Sequence, residues 1–233
     1  MTSPAPFAEG PIFRDRADAG RRLAGELAAR GVREGIVVGL ARGGVEPAAE
    51  VAAELGLPLD VLAVRKVGHP AQAEYAIGAV SPGEAFVREV EGVSPEAVGE
   101  AVVATRRTAV ELDERLHRAH AALDPAGKTV VLVDDGLATG ATMIAAARWA
   151  RQARAAHVVV AVPVGPDETL AVLRDEADEV VCLETPPAFG AVGLWYEEFG
   201  QVSEERVLSL LARAREASRA GDARGGRAAG SRA

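Results

Sequence analysis

The chain has 233 residues, 48% of them hydrophobic, enough to bury one substantial core in a single domain. Its formal net charge of −8 disfavours nucleic acid or an anionic membrane surface as a general partner, because phosphate groups would be repelled overall. The single cysteine, Cys182, excludes an intramolecular disulfide and a cysteine-rich metal site. No apolar run approaches the roughly 18 residues of a membrane helix, and Met1–Gly10 lacks a basic patch followed by an apolar stretch, so a cytoplasmic location is expected.

Pro4, Pro6 and Pro11 mark residues 1–12 as an extended arm expected to be disordered. Asp15 caps a helix whose apolar positions Ala19, Leu23, Leu27 and Ala28 share a face, and Gly31 stops it. Ile36–Leu40 reads as a buried strand. After Gly43-Gly44 a helix runs through Val51 to Leu55, stops at Gly56, and leads to a second buried strand at Val61–Val64, completing a βαβ unit. Ile77–Val80 and Ala85–Val87 flank the turn Ser81-Pro82-Gly83 as a short hairpin.

A long charged, alanine-rich helix is predicted from Pro95 to Leu123, with arginines and acids at helical spacing and with His117 and His120 on a solvated face. Three more strands follow at Val130–Val133, Val158–Val162 and Val180–Leu183, the last burying Cys182, separated by helices starting near Thr139 and Asp167. A final helix is predicted over Glu204–Glu216, and the Gly/Ala/Arg/Ser stretch 217–233 is expected to be disordered. This alternation belongs to an α/β layer fold.

The stretch Val130 to Thr142 carries most of the chemistry: an apolar strand, then Asp134-Asp135, then Gly136-Leu137-Ala138-Thr139-Gly140-Ala141-Thr142 running into a helix. Backbone N–H groups at the positive end of that helix can hold a phosphate, and Thr139 and Thr142 add hydroxyls. Two carboxylates at the carboxyl end of a strand are natural acceptors for a vicinal diol. A sugar phosphate satisfies both halves. Neither a P-loop nor a dinucleotide glycine pattern is present.

This segment resembles the phosphoribosyl pyrophosphate signature of the type I phosphoribosyltransferases. The resemblance implies that Asp134 and Asp135 bind the ribose hydroxyls and that Ala138, Thr139, Gly140, Ala141 and Thr142 wrap the 5′-phosphate. Ala138 stands where many members carry a second Ser or Thr, which removes one hydroxyl contact. Ala41-Arg42-Gly43-Gly44, after the first strand, is similar to the family's pyrophosphate loop, with Ala41–Arg42 as the expected cis peptide. Arg65 and Lys66 follow the second strand and would neutralise the leaving pyrophosphate. Gly68–Tyr75 resembles the mobile loop that closes over the donor, with His69 and Glu74 as candidate loop catalysts. The segment 184–202 matches the hood that holds the acceptor, with Phe189 as the stacking ring and Trp195, Tyr196 and Phe199 as core packing.

The resemblance spans about Phe13 to Ala214. It implies a Rossmann-like parallel sheet flanked by helices, one domain over 13–216, a helical insertion at about 94–124 and the small hood. The implied reaction transfers a 5-phosphoribosyl group from 5-phospho-α-D-ribosyl 1-diphosphate (PRPP) to a nitrogenous base with release of pyrophosphate, assisted by Mg2+ for which Asp134 or Asp135 is a candidate ligand. A homodimer is expected by the same analogy. The alternative reading is a regulator that keeps the fold and binds PRPP or a nucleotide without turnover; a hydrolase lacks a convincing nucleophile and base pair.

Overall fold

A computed structural model describes residues 10–229. The core is a five-stranded parallel sheet of β1 (Ile36–Ala41), β2 (Leu59–Ala63), β6 (Thr129–Val133), β7 (His157–Val164) and β8 (Glu179–Glu184), in the order β2-β1-β6-β7-β8. All five strands are the apolar runs of the sequence. Being buried on both faces, they read as continuous hydrophobic stretches. One face carries Val37, Val131, Val133, Val159 and Val181 and packs on α1 (Arg16–Ala29), α2 (Val45–Leu55) and α6 (Glu204–Ala229). The other carries Ile36, Val38, Leu132, Val160 and Val162 and packs on α4 (Ala141–Gln152) and α5 (Asp167–Leu173).

The strand order determines where a ligand can sit. From β1 the chain crosses through α2 to β2 on one side, whereas from β6 it crosses through α4 to β7 on the other. A crevice therefore opens between the carboxyl ends of β1 and β6, which pair in parallel from Ile36↔Val130 to Gly39↔Val133.

A second, antiparallel sheet contains β3 (Arg65–His69), β4 (Gln72–Val80) and β5 (Ala85–Val87). The predicted β4–β5 hairpin is present. Gly68–Tyr75, expected as an open loop, is instead strand on either side of a two-residue turn at Pro70-Ala71. The physical reason is burial: Val67 and Ile77 pack together beneath the partly buried Val98, Ala101 and Val102 of α3 (Pro95–Leu116), which fixes both strands.

α3 ends at Leu116, short of the predicted Leu123, because Asp60 accepts the Leu123 N–H at 2.6 Å and draws the chain out of the helix. His117, expected in solvent, is part of the same contact, with Nε2 3.1 Å from Asp60 Oδ1. Cys182 is only partly buried on β8, with Sγ directed to the Glu184 carbonyl oxygen. α6 continues from Glu216 to Ala229 through part of the stretch expected to be disordered; it is proline-free and rich in alanine and arginine, both good helix formers. Of the expected N-terminal arm, Ile12 is ordered and donates its N–H to the Trp195 carbonyl at 3.0 Å, while residues 1–9, like 230–233, lie outside the described residues. No helix among the described residues is long and apolar enough to cross a membrane.

Candidate functional site

The two loops at the switch point touch. Gly43 and Gly44 follow β1 and pack directly on Asp134 and Asp135 at the end of β6: a Cβ on Gly43 would collide with the Asp135 carboxylate, and one on Gly44 would fall 2.7 Å from the Asp134 Cα and 2.6 Å from the Val133 carbonyl oxygen. Only glycine permits this approach. The Ala41–Arg42 peptide at the head of the loop is cis, as expected.

Beyond the aspartates, Gly140 takes a left-handed conformation (φ 74°) and α4 begins at Ala141, just after the predicted start near Thr139. The carbonyls of this loop are held away from its centre: Thr169 Oγ1 donates to the Ala138 oxygen at 2.9 Å and Arg88 Nη2 donates to the Thr139 oxygen at 2.9 Å. The N–H groups of Ala138, Thr139 and Gly140 have no acceptor among the described residues. They join the free N–H groups of the first turn of α4, at its positive end, as a nest of donors for an anion.

Asp134 and Asp135 are costly residues in the free protein. Burial pushes the Asp134 carboxyl well above the usual carboxylate range, the Asp135 charge raises it further, and Lys66 and Arg16 oppose the shift. Burial also raises Asp135, opposed chiefly by Arg16. Asp134 Oδ1 accepts the Asp135 N–H at 2.9 Å. The three predicted cations act in two places. Arg65 is lowered by burial and then by the charge of Arg42, so these guanidiniums feel one another, and exposed Lys66 acts on Asp134. Mutually repelling cations such as Arg42 and Arg65 suit a polyanion such as a diphosphate.

Other predicted residues have different surroundings. His69 Nδ1 accepts the Ala71 N–H at 3.0 Å and so closes the β3–β4 turn; the side chain of Glu74 lies outside the described residues. Phe189 is half-buried, stacked on Trp195 at 6.5 Å between centroids, and its carbonyl accepts the Trp195 Nε1–H at 3.0 Å. Trp195 and Tyr196 are core residues, as expected, packed with Phe13. Phe199 is not: it is 38% exposed and lies beneath the Arg16 guanidinium, 3.8 Å from ring centroid to Cζ.

Sequence reasoning missed four contributors. Thr169 and Arg88 orient the loop before α4, and Tyr196 donates its hydroxyl to the Asp135 carbonyl at 2.6 Å. The fourth, Arg16, is 7% exposed and donates from Nε to Asp135 Oδ2 at 2.7 Å. One signal pointed to it: a cation in the first turn of a helix opposes the helix dipole and so calls for an anionic partner elsewhere.

No group of three His, Cys, Asp or Glu among the described residues could hold a metal ion. Asp134 and Asp135 are only two carboxylates, with one oxygen of each already accepting a hydrogen bond. They fit a divalent cation that brings most of its oxygen ligands with it, as a magnesium diphosphate does, and not a permanently held ion.

The sequence profile described as the phosphoribosyl transferase domain matches residues 13–197. Two proteins of Mycobacterium tuberculosis, from strains CDC 1551 / Oshkosh and ATCC 25618 / H37Rv, are each 46% identical to the chain over 211 residues, which is 87% of this chain and 47% of theirs. They are named "Putative phosphoribosyl transferase MT0597" and "Putative phosphoribosyl transferase Rv0571c". The chain thus spans about half the length of these relatives. The crystal structure of TT1426 from Thermus thermophilus superposes with a TM-score of 0.74 at 42% identity, over 85% of this chain and 97% of that one. The profile takes in both switch-point loops and all five strands of the parallel sheet, and on that match the chain belongs to the phosphoribosyl transferase domain family.

Proposed function

We propose that this chain transfers a 5-phosphoribosyl group from PRPP to a nitrogenous acceptor with release of pyrophosphate. The observation that carries the reading is the packing of Gly43-Gly44 on Asp134-Asp135, which joins a diol site to a diphosphate site across the switch point. In this reading the nest from Ala138 to Thr142 holds the 5′-phosphate, and the two carboxylates accept the 2′- and 3′-hydroxyls. The Ala41–Gly44 backbone with Arg42, Arg65 and Lys66 receives the diphosphate. Phe189 is the proposed stacking face for the acceptor ring.

The reaction breaks the bond from C1′ to the diphosphate oxygen and forms one from C1′ to a ring nitrogen, with inversion. Negative charge grows on the leaving diphosphate, where Arg42, Arg65 and Lys66 stabilise it. Positive charge grows on the ribosyl ring, which the carboxylates beneath it favour. No covalent nucleophile is needed; positioning and charge supply the rate enhancement. Magnesium entering with PRPP would neutralise part of the diphosphate charge, and Asp134 or Asp135 would help to hold it.

The test has two parts. Calorimetry with ribose 5-phosphate should give binding to the wild type and none to the Asp134→Asn/Asp135→Asn double variant; equal affinity in both rejects the site. Pyrophosphate release from PRPP and magnesium over a panel of nitrogen heterocycles should identify an acceptor. Binding of PRPP without release from any acceptor would favour a non-catalytic regulator.

A further inference from the structure

Arg16 occupies an unusual position. It opens α1, where the exposed N–H groups already supply positive charge, and its side chain is nonetheless buried. A desolvated guanidinium needs a full set of partners. Nε donates to Asp135 Oδ2 at 2.7 Å, Nη1 donates to the Gly200 carbonyl at 2.7 Å, Glu46 Oε2 lies 4.0 Å from Nη1, and the Phe199 ring covers the plane. One planar group therefore spans the ribose carboxylate, the end of the hood and the first turn of α2. Lysine could not reproduce this, because an ammonium has neither the fork nor the flat face.

The consequence for Asp135 is geometric. Its Oδ2 is fixed between Arg16 and the bare backbone of Gly43, and its main-chain oxygen accepts the Tyr196 hydroxyl at 2.6 Å. Oδ1 accepts no hydrogen bond among the described residues. The carboxylate is held in one rotamer with one oxygen committed and one available.

We propose that Arg16 is a positioning residue for ribose recognition: it aims the free oxygen of Asp135 at the sugar diol and ties that aim to the closing end of the hood at Phe199-Gly200. The proposal rests on the reading of Asp134 and Asp135 as the ribose site. It does not involve the phosphate nest, which draws on other elements, and that separation makes it testable.

The experiment titrates ribose 5-phosphate and, separately, inorganic phosphate into the full chain by calorimetry, for the wild type, Arg16→Gln, Asp135→Asn and the double variant. Arg16→Gln should weaken ribose 5-phosphate about tenfold while inorganic phosphate stays within about twofold. In the Asp135→Asn background the Arg16→Gln change should add no further loss, because its effect passes through that carboxylate. Equal weakening of both ligands, or losses that add in the double variant, would overturn the proposal and leave Arg16 a structural residue. Failure of the wild type to bind ribose 5-phosphate would instead remove the functional reading, and this proposal with it. Should Arg16→Gln not fold, Arg16→Lys serves: it keeps the charge but cannot reach both Asp135 and Gly200, so the same selective loss against ribose 5-phosphate is expected, and an equal loss for both ligands overturns the proposal.

Discussion

His117 Nε2 lies 3.1 Å from Asp60 Oδ1, a contact that fastens the end of α3 to the second strand of the sheet. On its other side Nδ1 lies 3.1 Å from Asp113 Oδ2. Asp113 and then Asp60 push the imidazole from 6.5 up to about 10, so the folded protein holds this proton more tightly than the unfolded chain does. The resulting stabilisation is fully present below pH 6.5 and is lost as pH rises through about 10. Chemical denaturation across that window should show stability declining with pH. His117→Gln should flatten the decline and cost on the order of 3 kcal/mol, because buried Asp60 would keep only the Leu123 N–H and a more distant Arg215.

Asp134 should behave in the opposite sense as a substitution target. Its raised carboxyl pKa means that ionisation is resisted in the folded state, so its contribution to stability is greatest below the ordinary carboxylate value and falls as pH rises through the elevated one. At neutral pH Asp134→Asn therefore removes the cost of burying a carboxyl that ionises freely in the unfolded chain, while its carbonyl can still accept the Asp135 N–H. We expect a melting temperature higher by a few degrees, equivalent to about 1 kcal/mol. Ribose 5-phosphate binding should fall in the same protein. A site that weakens stability and is needed for binding is the expected signature of function over fold.

Gly44→Ala tests the contact between the two loops. The new methyl would meet backbone atoms of Val133 and Asp134, which cannot swing away as a flexible side chain could. A cost of about 1–3 kcal/mol in stability is expected. Moving the aspartates should also reduce ribose 5-phosphate affinity by about tenfold, measured by calorimetry.

Thr169→Val keeps the branched shape of the side chain and removes only the hydroxyl that holds the Ala138 carbonyl. Inorganic phosphate should bind about fivefold more weakly, the loss of one net hydrogen bond. A change confined to ribose 5-phosphate, with phosphate unaffected, would contradict the role given to this side chain.

The legible part of the sequence was the part governed by burial and by local chain geometry. Val130–Val133 and its four companions are too apolar to lie anywhere but inside a sheet, and Asp134-Asp135 followed by a small-residue loop can only stand at that sheet's ligand edge. Less legible were residues whose role depends on a distant partner. Arg65 to Tyr75 reads as a polar, broken loop until Val67 and Ile77 are placed under α3. Arg16 reads as a helix-surface cation because its partner Asp135 is 119 positions away. His117 likewise differs from its solvent-facing neighbours only because Asp60 comes from another element.

Trp195 and Tyr196 anchor the segment above the sheet at two points, through the bridge from Tyr196 to Phe13 and through the Asp135 carbonyl. The residues just before them, from Thr185 to Ala191, are mostly exposed. A scaffold pinned in this way can exchange its lid without disturbing its floor. Under the proposed function, donor chemistry and acceptor choice would then be separable traits, and replacing 185–191 would redirect the protein toward new rings without touching the Asp134-Asp135 site.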